Sequence, residues 1–183
     1  MPDRITRELL PTGLRLTYRW FGWRFAFLAL FCVFWDGFLV NWYLQLDRAA
    51  GANQELPLMF TLFPLIHVAV GVGLTYYTLC GFVNRTTVDV SRQEIRVRVG
   101  PLPWFGSRRV APMQIAQVYR EEIVRQGKNG AHTSYQLSAA LKDGKKLKLL
   151  SGLDTADLAP FLEQEIERHL GIRDQAVVGE MRK

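Results

Sequence analysis

The sequence predicts an α+β membrane protein in which a two-helix transmembrane hairpin precedes a small antiparallel β barrel or sandwich closed by a C-terminal α-helix. Residues 25–83 hold only four formal charges, although 22% of the 183 residues are charged. After residue 83, apolar residues alternate with polar ones, as half-buried strands require. The chain has room for one hairpin and one domain of roughly 90 to 100 residues. Large enzymes with two catalytic domains are therefore excluded.

Two apolar runs predict the transmembrane hairpin, residues 25–83. The first span, residues 25–43, has Asp36 and Asn41 as its only strongly polar members. The second, residues 56–83, contains no Asp, Glu, Lys or Arg, and His67 is its only residue with a basic side chain. Each run is long enough to cross a hydrocarbon core of ~30 Å as a helix. A cleaved signal peptide is the competing interpretation of the first run, but no small-residue cleavage site follows it and a second span does.

Basic residues predict which way the hairpin faces. The cytoplasmic N-terminal segment, residues 1–24, carries five arginines, whereas Arg48 is the only basic residue between the spans. Since positive charge stays on the cytoplasmic side, both termini are expected in the cytoplasm. Residues 14–20 also alternate, so this segment could add a strand to the sheet of the following domain.

Residues 84–172 are predicted to form the β domain. Strands are expected at 87–91, 94–99, 115–124 and 134–141, with a Pro-rich loop at 100–106. A two-residue type I′ turn at Asp143-Gly144 leads into the last strand. These short antiparallel strands predict a barrel or sandwich.

A helix is predicted to close the domain, because four apolar residues recur at every fourth position: Leu158, Leu162, Ile166 and Leu170. It ends at Gly171, and residues 173–183 form a tail. Asp154 or Asp157 could cap its start, and a start close to Pro160 is the alternative.

Several short motifs, taken in their order along the chain, resemble a known family. They are Arg19-Trp-Phe21, Phe34-Trp-Asp-Gly-Phe38, Asn84-Arg-Thr86, Gly100-Pro-Leu-Pro-Trp104 and Leu141-Lys-Asp-Gly-Lys-Lys-Leu147. Together they resemble the bacterial membrane-anchored proteins with a pleckstrin-homology-like (PH-like) domain. The resemblance covers about residues 13–172 and implies a helical hairpin ahead of a PH-like β domain in the bacterial inner membrane. The family is largely without an assigned function, so no catalytic residue is carried over.

An intramembrane polar pair is predicted between Asp36 and His67. A charged carboxylate at mid-span costs roughly 2.5 to 3.5 kcal/mol on insertion scales, so Asp36 needs a partner. Counted from a loop midpoint near residue 51, His67 lies at nearly the same depth. Small or polar residues on both helices are expected to let the helices pack closely; they include Ala29, Cys32, Gly71 and Thr75. Three roles are open. The pair fixes the register of the hairpin, or it forms a proton or ion relay, or Asp36 instead contacts another subunit.

Two surface features of the β domain carry further hypotheses. Leu102, Trp104 and Phe105 form an apolar loop that either dips into the membrane interface or packs on the protein itself. Four lysines crowd one hairpin and could contact anionic lipid, or form a solvated strand face; they are Lys142, Lys145, Lys146 and Lys148.

Catalytic and metal-binding motifs are absent from the sequence, so we expect no enzyme, no cofactor and no metal. The net charge is +6, but several of the arginines belong to the positive-inside bias and no nucleic-acid recognition motif occurs, so nucleic acid is not an expected partner. The expected function is a non-enzymatic binding or scaffolding module bound to the lipid bilayer. The alternatives are an accessory subunit of a membrane complex, with a protein partner or further copies of the chain, or an oligomeric channel or proton-translocating unit using Asp36 and His67.

Overall fold

The computed structural model describes residues 4–51, 58–127, 130–153 and 157–172, which divide into two compact units. The sheet unit contains the described residues up to Arg19 and from Arg85 onward, and the helical unit runs from Trp20 to Asn84. The predicted α+β class, with two long apolar helices and antiparallel sheets, is confirmed. The predicted tail at 173–183 and the candidate cap Asp154 lie outside the described residues.

A five-stranded antiparallel sheet opens the sheet unit, with its strands side by side in chain order. The strands are β1 (Ile5–Leu10), β2 (Gly13–Arg19), β3 (Arg85–Val90), β4 (Ile95–Gly100) and β5 (Arg108–Val110). Strand β2 corresponds to the alternating segment 14–20, and it pairs with β3 from Leu14 to Arg19. Along the chain, the whole helical unit therefore lies between two strands that are neighbours in one sheet.

Alternation divides this sheet into an apolar face and a polar face, because successive side chains of a strand point in opposite directions. On β2, Leu14 and Leu16 are almost completely buried, whereas the alternate residues Arg15 and Thr17 are half-buried on the other side. The apolar face continues through β3 and β4 with Val88, Val90, Ile95 and Val97. This face is one wall of the core of the sheet unit.

A second sheet of three strands follows, in the order β6 (Ile115–Gly127), β7 (Gly130–Leu141) and β8 (Lys146–Leu153). The turn from β7 to β8 differs from the predicted two-residue turn. Leu141 N–H donates to the Lys145 carbonyl at 2.8 Å, so residues 142–144 form a three-residue loop. Its last residue, Gly144, has a φ of 82°, the left-handed position that such loops assign to glycine.

Helix α3 (Leu158–Leu170) bonds to strands of both sheets. Its start falls after Asp157, and Pro160 lies in the first turn, where a missing N–H costs no helical hydrogen bond. On one side Glu165 forms an ion pair with Arg7 of β1, with 2.6 Å between Oε2 and Nε. On the other, Glu163 forms a buried ion pair with Arg120 of β6, at 2.8 Å.

The predicted barrel is wrong, because the two sheets remain open. Strand β5 has only three residues, and a short 3₁₀ turn at Pro112–Gln114 separates it from β6. Within the part of the chain that the structure describes, no ladder of backbone hydrogen bonds joins β5 to β6. The domain is thus held together through α3 and side-chain packing and not by closure of a single sheet.

The helical unit consists of α1 (Trp23–Gly51) and α2 (Leu58–Val83), which are long and apolar enough to cross a membrane. At 1.5 Å per residue, 29 and 26 residues give about 43 and 39 Å. Buried positions recur every seven residues on both helices, a spacing typical of helices that pack side by side. They are Phe25, Cys32 and Leu39 on α1, and Pro64, Gly71 and Thr78 on α2, where Cys80 and Gly81 are buried in addition.

Candidate functional site

A polar cluster interrupts the apolar helices α1 and α2. The Thr75 hydroxyl donates a hydrogen bond of 2.8 Å to Oδ2 of Asp36. A Cβ atom at Gly71 would stand 2.7 Å from Oδ1 of Asp36 and 3.1 Å from the Trp35 ring. Glycine at this position therefore lets the carboxylate approach α2 closely enough to reach the hydroxyl.

The predicted partner of Asp36, His67, has other contacts in the structure. Its Nδ1 lies 3.3 Å from the carbonyl oxygen of Phe63, and its ring stacks on Trp35 with the ring centres 5.8 Å apart. The indole Nε1 of Trp35 donates to the His67 carbonyl at 3.2 Å. The predicted pair of Asp36 and His67 is therefore replaced by the pair of Asp36 and Thr75.

The ends of the helices explain this correction. Helix α1 continues to Gly51 and α2 begins at Leu58, so the midpoint of the connection lies near residues 54 and 55 instead of residue 51. In an antiparallel hairpin, a midpoint about 3.5 residues later moves the opposing position by about seven residues. The residues opposite Asp36 thus become those between Gly71 and Thr75.

The four residues predicted to support helix packing lie at or near the contact between the helices. Cys32 is buried, with its Sγ 3.5 Å from the Thr78 hydroxyl oxygen. Gly71 is buried, whereas Ala29 and Thr75 are half-buried. These small side chains therefore line the region where α1 and α2 approach each other.

A tighter contact nearer the chain ends of the hairpin was not predicted. Phe25 is buried, and a Cβ atom at Gly81 would stand only 2.1 Å from its ring. The Tyr77 ring lies 5.5 Å from the ring of Phe25. The sequence feature that could have indicated this contact is Gly81, which continues the series of small residues on α2 by one helical turn beyond Thr78.

A groove of about 850 Å³ runs along one side of the helical unit. Its lining is apolar apart from a few side chains, among which Asp36, Asp47 and Thr75 carry oxygen atoms that accept hydrogen bonds. The carboxylate of Asp36 therefore faces both its partner Thr75 and this groove.

The apolar loop after β4 divides into partly covered and open side chains. Leu102 and Trp104 are half-buried, whereas Phe105 is 89% exposed. The rings of Trp104 and Phe105 meet edge to face, with centres 6.2 Å apart. The exposed Phe105 is available for an external contact, and its contact with the membrane interface stays a prediction.

The lysine hairpin lies on the loop and strand after β7, and all four lysines are exposed. Lys145 pairs with Asp143 at 3.0 Å, and Lys146 lies 3.7 Å from Glu121 of β6. The Asp143 carboxylate accepts hydrogen bonds from the backbone and side chain of Lys145, which lower its pKa. Two of the four lysines are therefore partly neutralised, and contact with anionic lipid stays a prediction.

Arginines gather on the polar face of the five-stranded sheet, which the sequence reasoning did not single out as a site. Directly opposite residues share a face, and the pairing places Arg15 opposite Asp89 and Asp89 opposite Arg96. The six arginines of strands β2 to β5 on this face are Arg15, Arg19, Arg85, Arg96, Arg98 and Arg109. We call it the arginine face. The signal in the sequence is the repetition of arginine at alternate positions of several strands.

Asp89 holds two of these arginines in place. Its Oδ1 accepts from Arg15 Nε at 2.6 Å and its Oδ2 accepts from an Arg98 terminal nitrogen at 2.8 Å. Partial burial alone would raise the pKa of Asp89, but the hydrogen bonds and charges of both guanidinium groups together outweigh it and lower the pKa. The same bond to Asp89 raises the pKa of Arg15. The three groups therefore form one ionised, oriented cluster.

Comparison with known proteins leaves the chain without an assigned family. No protein-family model matches it, and no curated protein matches it.

Proposed function

We propose that the chain is a non-enzymatic binding or scaffolding protein anchored in the inner membrane of a bacterium, with its sheet unit at the cytoplasmic surface. The observation that carries the proposal is the insertion of the helical unit between β2 and β3. Arg19 and Arg85 pair directly, so the two ends of the hairpin continue neighbouring strands of one sheet. A hairpin that crosses the membrane twice satisfies this pairing, whereas a single crossing would separate the two strands.

Membrane insertion is supported by the surface of the helices. Large apolar side chains are exposed along both, such as Phe34 and Val33 on α1 and Met59 and Ile66 on α2. In water this surface would be a strong aggregation hazard, and in hydrocarbon it is the expected surface. The polar group at mid-helix, Asp36, has a hydrogen-bond donor within the hairpin. The arginines of the N-terminal segment support the cytoplasmic orientation.

A PH-like relationship of the sheet unit is part of the proposal. The order of five antiparallel strands, three antiparallel strands and a terminal helix supports it. The resemblance brings a membrane-anchored domain without known catalytic residues, which agrees with a binding role. That the chain is not an enzyme stays a prediction.

The function is tested by purifying the tagged full chain from native membranes in mild detergent and measuring the mass of the complex. A binding or scaffolding role predicts a stoichiometric partner whose retention depends on the sheet unit. Phe105→Ser, at the most exposed apolar side chain of that unit among those described, is expected to release it. Val72→Trp, which fills the groove on the helical unit, is the matched control and should leave the complex intact.

The groove beside Asp36 favours a second candidate, an accessory subunit of a larger membrane complex. Its occupant would be a transmembrane helix of the partner that carries a hydrogen-bond donor or a basic side chain, because two acidic residues, Asp36 and Asp47, are among those that line the groove. This role predicts the opposite outcome of the same experiment, in which Val72→Trp releases the partner and Phe105→Ser does not. A chain that purifies alone with both variants and with the unmodified sequence would contradict both functions.

A further inference from the structure

A cleft of about 410 Å³ opens on the arginine face of the sheet unit, and it combines three guanidinium groups with two hydroxyl groups. Arg15 and Thr17 come from β2, Arg85 and Thr87 from β3, and Arg98 from β4. The pairing places Thr17 opposite Thr87 and Thr87 opposite Arg98, so these three residues form one row across the sheet. The remaining lining residues are Glu8, Val99, Gly100 and Pro101.

Two of the three guanidinium groups of the cleft are oriented before any ligand arrives. Asp89 fixes Arg15 and Arg98 through the hydrogen bonds described above, each of which uses a single nitrogen of its arginine. A guanidinium group has five N–H donors, so each of these arginines keeps others to offer. Groups that are already held in place lose less conformational freedom when a ligand binds.

Arg85 and the two threonines add unused hydrogen-bonding groups. Among the described residues, neither the Arg85 guanidinium nor the hydroxyls of Thr17 and Thr87 have a side-chain partner. Gly100 lies directly opposite Arg85, and a Cβ atom at Gly100 would have no neighbour within 4 Å. The cleft is therefore open beside Arg85, where a ligand can enter.

The charge of the cleft favours an anion. Three arginines face two carboxylates, Glu8 and Asp89, which leaves an excess of one positive charge in the cleft itself. The wider arginine face adds Arg19, Arg96 and Arg109, with Glu94 pairing with Arg96. Several guanidinium forks and hydroxyl donors around one point match the three or four oxygens of a phosphate better than the two oxygens of a carboxylate.

We propose that this cleft binds a phosphate group, carried either by a soluble phosphate monoester or by the headgroup of an anionic lipid. Arg85 and Arg98 contact the phosphate oxygens, Thr17 and Thr87 donate hydroxyl hydrogen bonds, and Asp89 positions Arg15 and Arg98. The proposal goes beyond the proposed anchoring role and does not depend on the orientation of the hairpin, so either can fail without the other.

The test measures binding to the full chain in an uncharged maltoside detergent at low ionic strength, where screening is weak. The two probes are glycerol 3-phosphate and dihexanoyl phosphatidic acid, which carry the same phosphate monoester without and with acyl chains. Arg85→Gln is expected to weaken binding at least about tenfold, because it removes charge-assisted hydrogen bonds to the ligand. Thr87→Val, which keeps the side-chain shape, is expected to weaken it about threefold to tenfold.

The matched control removes one positive charge elsewhere on the sheet unit, at the exposed Arg92 in the turn after β3, as Arg92→Gln. It should change affinity less than twofold. Binding of both probes supports a soluble monoester, and binding of dihexanoyl phosphatidic acid alone supports a lipid headgroup. If neither probe binds, or if Arg92→Gln weakens binding as much as Arg85→Gln does, the proposed site is overturned. An unfolding curve of each variant shows whether it folds. If Arg85→Gln fails to fold, the effect of Thr87→Val on binding decides whether the site is correct.

Discussion

Replacing the helical hairpin by a tight turn should give a soluble and folded sheet unit. Trp20 and Asn84 continue the register of β2 and β3, and the Trp20 N–H donates to the Asn84 carbonyl at 3.3 Å. A two-residue type I′ turn closes on such a hydrogen-bonded pair, and Asn-Gly is its preferred sequence. The variant replaces the 63 residues 21–83 by Asn-Gly, which leaves 122 residues.

The structure sets the size and sign of the effect on stability. Shortening a flexible connection from 63 residues to two would lower the entropy cost of pairing β2 with β3 by about 3 kcal/mol. This figure is an upper limit, because α1 and α2 already bring the ends of the connection together. The β2 and β3 register, and with it the buried side of the sheet, is unchanged. We therefore expect the variant to unfold cooperatively and to be stabilised by at most that amount relative to the unmodified chain.

The assay is urea unfolding followed by circular dichroism, together with the mass in solution without detergent. A register control joins Arg19 to Asn84 through the same Asn-Gly, which omits Trp20 and forces a bulge or a one-residue slip; it should unfold at lower urea. A monomer with a sharp transition is expected for the first variant. Aggregation, or a transition at no higher urea concentration than that of the register control, would refute the pairing of β2 with β3 as the frame of the domain.

Three further results are expected. In detergent, Asp36→Leu and Thr75→Val should show a favourable coupling of about 0.6 to 1.7 kcal/mol in a double-mutant cycle on unfolding, and strict additivity would contradict their contact. Glu163→Leu alone should cost about 3 to 5 kcal/mol because it leaves Arg120 buried without its partner, whereas adding Arg120→Met should recover most of the loss; equal costs for the single and double variants would exclude the ion pair. The folded-state pKa of Asp89 is lowered below its usual 3.8, so its stabilising effect is complete above that pH and is lost as the pH falls through the folded-state pKa. Asp89→Asn should therefore be less stable than the unmodified chain at pH 7, and acid titration of unfolding should show the difference shrinking below pH 3.8; a constant difference would contradict the ionised cluster.

Local patterns in the chain predict most of its elements. The alternation after residue 83 corresponds to real strands, and the four-residue apolar repeat corresponds to α3. The charge-poor segment corresponds to the helices α1 and α2, because long apolar runs almost without charges are typical of long apolar helices. The alternating residues 14–20 correspond to β2, although the partner strand lies more than 60 residues later.

Geometry between distant elements could not be predicted to the same extent. The partner of Asp36 depends on where α1 and α2 end, and apolar side chains continue beyond Tyr43 without marking the end of the helix. The barrel was not excluded by alternation, since closure depends on the length of β5 and on its pairing, not on which residues face the core. The arginine cleft arises only when β2, β3 and β4 are aligned, because its residues come from segments separated by the whole hairpin.

The central claim, a hairpin that crosses the membrane and returns the chain to the cytoplasmic side, is tested most directly by labelling single cysteines in intact cells. Cys32 and Cys80 are first replaced by alanine, and one cysteine is then introduced at Arg48 near the end of α1 or at Arg92 in the turn after β3; both positions are exposed. An impermeant maleimide should label Arg48→Cys in intact cells and Arg92→Cys only after lysis. Labelling of Arg92→Cys from outside, or equal labelling of both before lysis, would contradict the account.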